Sequence, residues 1–387
     1  MIYDMKFNWA SIKNEILKLK DISVIGISDT VASGISAIFW FFMAAIMSTE
    51  QYGEVSYFMA IAGLASSIAM LGSENTLMVY PAKKIKIQAT TYFITSISGS
   101  IVTIIIFIIF LKFELSILLI GYVIFGLASH EILGRKLYVT YSKFLISQRI
   151  LMVVLSVGLY YIIGTDGVIL GLGLAYLPYL IRVYQGFQET KIDFSLIKNR
   201  IGFIVNSYAM KVVDTLGSST DRLIIGPMFG FALLGNYQLG YQFIALLDII
   251  PTIVYKFTLP HDASGNQNIK LKKGLILVGV ISAVIGFFLS PIILPLTFPK
   301  YVEAIEIIQI MSLSMIPSTV AYAYTSKLLG TEKSKIVLIG YVAYLISLII
   351  GIVGLGEYFG INGAAIAIVI ASIVQTLVLI LGDKIEK

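Results

Sequence analysis

Residues 221–241 read DRLIIGPMFGFALLGNYQLGY. An acid and a base, Asp221 and Arg222, stand before a long apolar run, and the run ahead of them is apolar apart from Lys211 and Asp214. A short glycine-bounded turn, GFALLG, joins two stretches that are each long enough to cross the roughly 20-residue depth of a hydrocarbon core. Whether this pair is buried in protein or lies in lipid decides the fold, and the composition answers it. The chain has 387 residues, 58% of them hydrophobic and 13% charged, with a mean hydropathy of +0.91. Soluble domains carry about 25% charge, so this chain has too little polar surface for a soluble shell and reads as a polytopic membrane protein. The four charges of this region then lie where charge is expensive.

Other classes drop out quickly. There is no cysteine, which excludes disulfides, zinc–thiolate sites and thiol nucleophiles. With only His130 and His261, no His-rich metal site is expected. No Walker A motif occurs, so the chain is not read as an ATPase. The net charge of +6 is compatible with nucleic acid, but the basic residues follow a membrane pattern and no nucleic-acid partner is expected. The N-terminal stretch MIYDMKFNWASIKNEILKLK is charged throughout and does not read as a secretory signal. Phe7, Ile12, Ile16 and Leu19 fall near one helical face, with Lys6, Lys13 and Lys20 elsewhere. That is either a short helix on the membrane surface or a cytoplasmic extension of the first span.

Hydropathy predicts twelve spans, numbered 1–12, near 22–47, 54–80, 90–111, 115–138, 144–163, 167–188, 202–228, 232–257, 274–296, 303–328, 334–355 and 359–382. Of the 28 Lys and Arg, all but Lys112, Lys300, Lys211 and Arg222 fall on the termini or on the inner ends and connections. The positive-inside rule then puts both termini in the cytoplasm, in a multi-pass protein of the cytoplasmic membrane. The outer loops STEQYGE, LKFE, GTDG, GFALLG, TFPKYVEA and GEYFG are short. No connection is long enough for an extramembrane domain, so function must be built from the spans. A glycan polymerase or ligase would need sizeable outer loops, and an enzyme is not expected.

The inner connection QETKIDFSLIKNR (188–200) divides the chain into six spans and six, an N-terminal bundle over 1–190 and a C-terminal bundle over 191–387. Sliding the first half by 182 residues sets Val31 on Val213, Ser36 on Ser218, Gly53 on Gly235 and Asp29 on Lys211. An even span count per half makes the halves parallel repeats. The expected fold is all-α and integral to the membrane, with twelve transmembrane helices in two six-helix bundles related by a pseudo-two-fold axis along the membrane normal.

Ionisable groups inside spans usually face a bundle interior or a watery cavity. In span 7, Ser207, Lys211, Asp214, Ser218 and Asp221 share one helix face, flanked by Arg222. Span 1 repeats the spacing with Asp29, Ser33, Ser36 and Trp40, and span 8 offers Tyr237, Tyr241, Asp248, Thr252 and Tyr255. Span 2 adds Glu74 and Asn75, and span 4 adds His130, Glu131 and Arg135. Spans 1, 2, 7 and 8 are expected to line a central cleft. Each charge has a plainer reading beside the functional one. Lys211 and Asp214 either face substrate or neutralise each other. Asp221 and Arg222 either touch substrate or hold the outer end of span 7, where Arg can snorkel. Glu74 either joins the cleft or sits solvated near the inner end. Glu131 either relays protons with His130 or pairs with Arg135. Pro178, Pro251, Pro291, Pro295 and Pro317 lie inside spans and permit bending.

The stretch DRLIIGPMFGFALLGNYQLGYQF (221–243) resembles the span 7–8 signature of the polysaccharide-export flippases, and STEQYGEVSYFMAIAGLASSIAMLGSENTLMVY (48–80) is similar to their span 1–2 region. These are the oligosaccharide-lipid flippases of O-antigen, capsule and related glycans. Their superfamily also holds the multidrug/toxic-compound extruders and the lipid II flippases. The resemblance implies two six-helix bundles around a V-shaped cleft, rocking between inward-open and outward-open states, and outward movement of a polyprenyl-(di)phosphate-linked oligosaccharide. The family's cleft is often cationic. Lys211 and Arg222 fit that pattern, while Asp29, Asp214, Asp221 and Asp248 are as numerous. The expected substrate contacts are Lys211, Arg222, Asp214, Tyr241 and Trp40. Asp29 is the first candidate for cation coupling, followed by Asp248 and Glu131. No metal and no cofactor is expected beyond a coupling H+ or Na+. The partners are a lipid-linked glycan and membrane lipids, and the protein is expected to work as a monomer. The alternative is a proton- or sodium-coupled multidrug/toxic-compound extruder of the same superfamily.

Overall fold

The computed structural model describes the backbone of residues 9–263 and 269–385, with the side chains inside it except those of 9–23, 256, 257, 260, 261 and 263. Among the described residues there are helices and turns and no strand. The surface-seeking N-terminal segment predicted from sequence falls outside the described residues over 1–8, and over 9–20 only its helical backbone is described.

In chain order the helices are α1 (Trp9–Ile46), α2 (Thr49–Met70), α3 (Ser73–Ala82), α4 (Gln88–Phe110), α5 (Phe113–Gly134), α6 (Tyr138–Ile163), α7 (Thr165–Leu174) and α8 (Leu180–Glu189). After the short α9 (Ser195–Lys198) come α10 (Ile201–Phe229), α11 (Phe231–Leu247), α12 (Ile249–Ala263), α13 (Ile269–Thr297), α14 (Ala304–Ser312), α15 (Met315–Gly330) and α16 (Ser334–Ile385). Nine stretches among the described residues are long and apolar enough to cross a bilayer as they stand. One of them, α16, holds two spans, because Gly360 at φ 58°, ψ −140° breaks its helical path. Another span is the bent pair α11–α12, which turns by 47° at Asp248. The last is α10, whose 29 residues carry Lys211, Asp214, Asp221 and Arg222. These make up the twelve predicted spans, with ends shifted by a few residues. Large apolar side chains such as Ile104, Ile108, Phe288, Ile292 and Leu296 stay exposed in long rows, which suits hydrocarbon rather than water.

The chain packs as two compact units, Met1–Phe39 with Ala65–Lys211, and Trp40–Leu64 with Val212–Lys387. The boundary falls inside α1, α2 and α10. Lipid is as apolar as leucine, so helices in a membrane associate through close van der Waals packing, and small residues mark the contacts. In the first unit Gly121 lies on the backbone of Gly173, and Gly171 lies on that of Ser156. Around them Met70, Leu77, Tyr92, Leu119, Leu127 and Tyr179 form a buried cluster. The connection between the sequence halves is tied down here too. The Thr90 hydroxyl accepts the Asp193 N–H at 2.8 Å, and the Thr190 hydroxyl accepts the Ala89 N–H at 2.9 Å.

In the second unit the core joins Ile225, Leu234, Tyr237, Met311, Leu348 and Ile352 to the alanines 364, 365, 367 and 371 of α16. Gly53 and Gly235 meet so closely that a side chain on Gly53 would strike the Phe231 carbonyl and the Gly235 N–H. One on Gly235 would strike the Thr49 carbonyl and the Gly53 N–H.

Candidate functional site

In the first unit the second span is interrupted. Leu71 (φ 47°) and Gly72 (φ 78°) leave the helical region, and the chain resumes as α3. Gly72 fits because its α-carbon lies against the backbone of Ile204 and Tyr208 on α10, where a side chain would collide. The restart is polar. Ser73 and Thr95 share a hydrogen bond of 2.5 Å, and the Thr76 hydroxyl donates to the Gly72 carbonyl at 2.9 Å. Glu74, in the first turn of α3, lies 3.3 Å from the ammonium of Lys211. The predicted substrate residue Lys211 therefore has an acidic partner on span 2. Its side chain stays 38% exposed, so it remains reachable.

Asp29 on α1 accepts a hydrogen bond from the Tyr141 hydroxyl at 3.3 Å, beside a Ser142–Ser28 hydroxyl contact of 2.9 Å. Glu131 is fully buried. Arg182 grips it with two bonds of 2.7 Å, Nε to Oε2 and Nη2 to Oε1. Arg135, one turn along α5, also binds Glu131 and reaches Glu189, which Arg182 contacts at 3.3 Å. Both carboxylate oxygens of Glu131 are thus committed to guanidinium groups. The arrangement is the ion-pair setting, and it clamps α5 to α8.

In the second unit the short turn at Gly230 (φ 87°) folds α11 back along α10. Arg222 donates from Nε to Gln238 Oε1 at 2.8 Å and from Nη1 to the Ser218 carbonyl at 3.1 Å. Its guanidinium stands 4.6 Å over the ring of Tyr241. Asp221 is buried and accepts the Tyr237 hydroxyl at 2.8 Å. Two predicted substrate residues, Arg222 and Tyr241, are therefore in contact. Asp214 is exposed on α10. Trp40 packs edge-to-face on Tyr52 at 6.1 Å, and Tyr52 does the same on Tyr301 at 6.0 Å.

Asp248 caps α11 at the bend of span 8. Its Oδ2 accepts hydroxyl bonds from Tyr322 (2.8 Å) and Thr252 (3.0 Å), while Oδ1 is buried with no hydrogen-bond partner among the described residues. Sequence reasoning missed Tyr322, and it missed Arg182 as the partner of Glu131. It rated Glu74 low. The first two are tertiary contacts 74 and 51 residues apart, and no periodicity signals them. Among the described residues no cluster of three or more His, Cys, Asp or Glu could hold a metal.

No protein-family model matches the chain, and no curated protein sequence matches it. Solved structures do. The lipid II flippase MurJ in an inward closed conformation matches at 16% identity over 92% of this chain and 87% of that one, with a TM-score of 0.73. An inward-facing multidrug resistance MATE family transporter of the MOP superfamily matches at 13% identity over 95% and 98%, with a TM-score of 0.71. An outward-facing MATE family transporter matches at 14% identity over 95% of each chain, with a TM-score of 0.64. At such identities the likeness carries the fold: the chain has the all-α integral-membrane fold, twelve helices in two halves, that is found in these transporters.

Proposed function

We propose that this protein moves a polyprenyl-(di)phosphate-linked oligosaccharide across the cytoplasmic membrane by alternating access, in surface polysaccharide biosynthesis. The observation that carries the reading is Arg222. Gln238 and Tyr241 hold its guanidinium in place, and it lies in the 221–243 stretch that resembles the flippases. A fixed guanidinium suits diphosphate oxygens, and an aromatic face beside it suits a sugar ring. Lys211, Asp214 and Trp40 are the further residues we assign to substrate contact. Asp29 and Asp248 are the residues we assign to cation coupling. Glu131 becomes a weaker choice because two arginines occupy it. In this reading 1–190 and 191–387 are the moving halves, both termini are cytoplasmic, and a monomer suffices.

The test is genetic and chemical together. A strain lacking the gene should accumulate lipid-linked repeat units in the inner leaflet and lose surface glycan. Wild-type protein should restore both, and Arg222→Ala at equal abundance should not. Normal surface glycan in the deletion, with no redundant copy, would sink the proposal.

The extruder reading has one observation in its favour, the half-satisfied carboxylate of Asp248. It predicts dye efflux driven by a proton or sodium gradient and dependent on Asp29 and Asp248. Unchanged drug sensitivity on overexpression counts against it.

A further inference from the structure

At the lysine-rich end of the first unit lies a cavity of about 460 Å³, walled in part by Lys84, Lys86, Gln88, Arg135, Glu189 and Thr190. Its volume is within the ~300–1,000 Å³ range of ligand pockets. Four elements meet there: the chain leaving α3, the start of α4, and the ends of α5 and α8. Lys84 is set by a left-handed turn at φ 60°. Arg135 and Glu189 pair with each other, and among the described residues no carboxylate pairs with Lys84 or Lys86. The walls therefore keep a positive excess. The 23-residue helix α4 begins at Gln88, so its positive end adds to that excess.

One wall group asks for something different. Gln88 is 4% exposed, and its Oε1 is buried with no hydrogen-bond partner among the described residues. It is an acceptor that needs a donor. A phosphodiester with no further hydroxyl brings only acceptors, and would satisfy the lysines and leave Gln88 unmet. A phosphate ester with a free hydroxyl satisfies both, with oxygens on the two ammonium groups and its O–H donated to Gln88. The place suits a lipid, since the cavity sits where spans end, and basic pockets between such helix ends take anionic headgroups.

We propose that this cavity is a binding site for a hydroxyl-bearing phosphodiester headgroup, of the chemistry that phosphatidylglycerol presents. The same chemistry also exists in soluble form, as the diester glycerophosphoglycerol. The site is separate from the Arg222 region and does not depend on what the protein transports.

The experiment uses the full chain in phosphatidylcholine nanodiscs with phosphatidylglycerol titrated in, and bound lipid counted by native mass spectrometry. Wild type should retain phosphatidylglycerol in preference to phosphatidylmethanol, an anionic phosphodiester with no hydroxyl. Lys84→Ala with Lys86→Ala should weaken retention by roughly thirtyfold, since each lysine near an anionic headgroup contributes about fivefold. Lys84→Arg with Lys86→Arg should keep it, so loss through misfolding is told apart from loss of charge. Gln88→Leu should erase the preference for phosphatidylglycerol while leaving phosphatidylmethanol retention unchanged. Glycerophosphoglycerol that fails to displace the lipid supports the headgroup as occupant, and displacement at equal concentration overturns that assignment. Retention that is unchanged in the double alanine variant, or no lipid preference in wild type, overturns the site itself.

Discussion

Spans 2 and 8 hold the same place in their halves, and both are interrupted, but by different means. Between α2 and α3 the backbone enters the left-handed region at Leu71 and Gly72, and the glycine is wedged against α10. Between α11 and α12 no residue has a positive φ. The bend of 47° falls where Pro251 withholds the N–H that would bond the Leu247 carbonyl, and the Ser282 hydroxyl approaches that carbonyl at 3.5 Å. The carboxylates differ in step. Glu74 faces an ammonium, whereas Asp248 faces the hydroxyls of Tyr322 and Thr252 and, among the described residues, keeps one oxygen unmet. The charge at the broken span 2 is neutralised by Lys211 of span 7. The other broken span keeps a carboxylate oxygen with no hydrogen-bond partner among the described residues, and interrupted spans at matching positions of two halves are a recognised pointer to transport sites.

The contrast can be attacked where it is strongest. Gly72→Val should have the largest effect. The left-handed backbone alone costs about 1–2 kcal/mol for a residue with a side chain, and the collision with Ile204 and Tyr208 adds to it. Thermal unfolding in detergent should show a clear loss, and a wild-type transition would mean the span 2 break is not rigid. Lys211→Ala comes next. It strips Glu74 of its cation, so transport should fall at equal protein level, and Glu74→Gln in the same chain should recover part of the stability. Lost stability without lost transport would make the pair purely structural.

Asp248→Asn should spare stability, because the amide oxygen still accepts from Tyr322 and Thr252. Its mark should be a transport rate that no longer follows the imposed ion gradient, and an unaltered gradient response would remove Asp248 from coupling. Tyr322→Phe is the mildest change. It deletes one hydrogen bond, worth about 1 kcal/mol, and should shift the gradient dependence without abolishing transport.

The span pattern was legible in the sequence because hydrocarbon thickness imposes one length on every span, and the chain has almost no charge outside the turns. The Arg222–Tyr241 contact was half legible for a geometric reason. Helices folded back at Gly230 pair residues at equal distances from the turn, and Arg222 and Gln238 stand equally far from it. The breaks left weaker traces. Leu71-Gly72-Ser73-Glu74 resembles any polar lapse in a span, and Pro251 was one of several in-span prolines. The Glu131–Arg182 clamp left no trace, because which guanidinium reaches a buried carboxylate depends on how α5 meets α8. Arg135, one turn away, was visible. Arg182 was not.

The contact of Gly53 with Gly235 carries a last consequence. The shift of 182 residues that superposes the halves turns Thr49 into Phe231 and Gly53 into Gly235. Each of these glycines touches the other, and each lies on the carbonyl of the residue four places before the other. Exchange the two halves and the contact maps onto itself. That is the isologous contact two identical six-helix chains would make across a dyad, here covalently joined in one polypeptide. The two glycines are in effect one position met twice, so alanine at either should encounter the same obstacle and give the same defect.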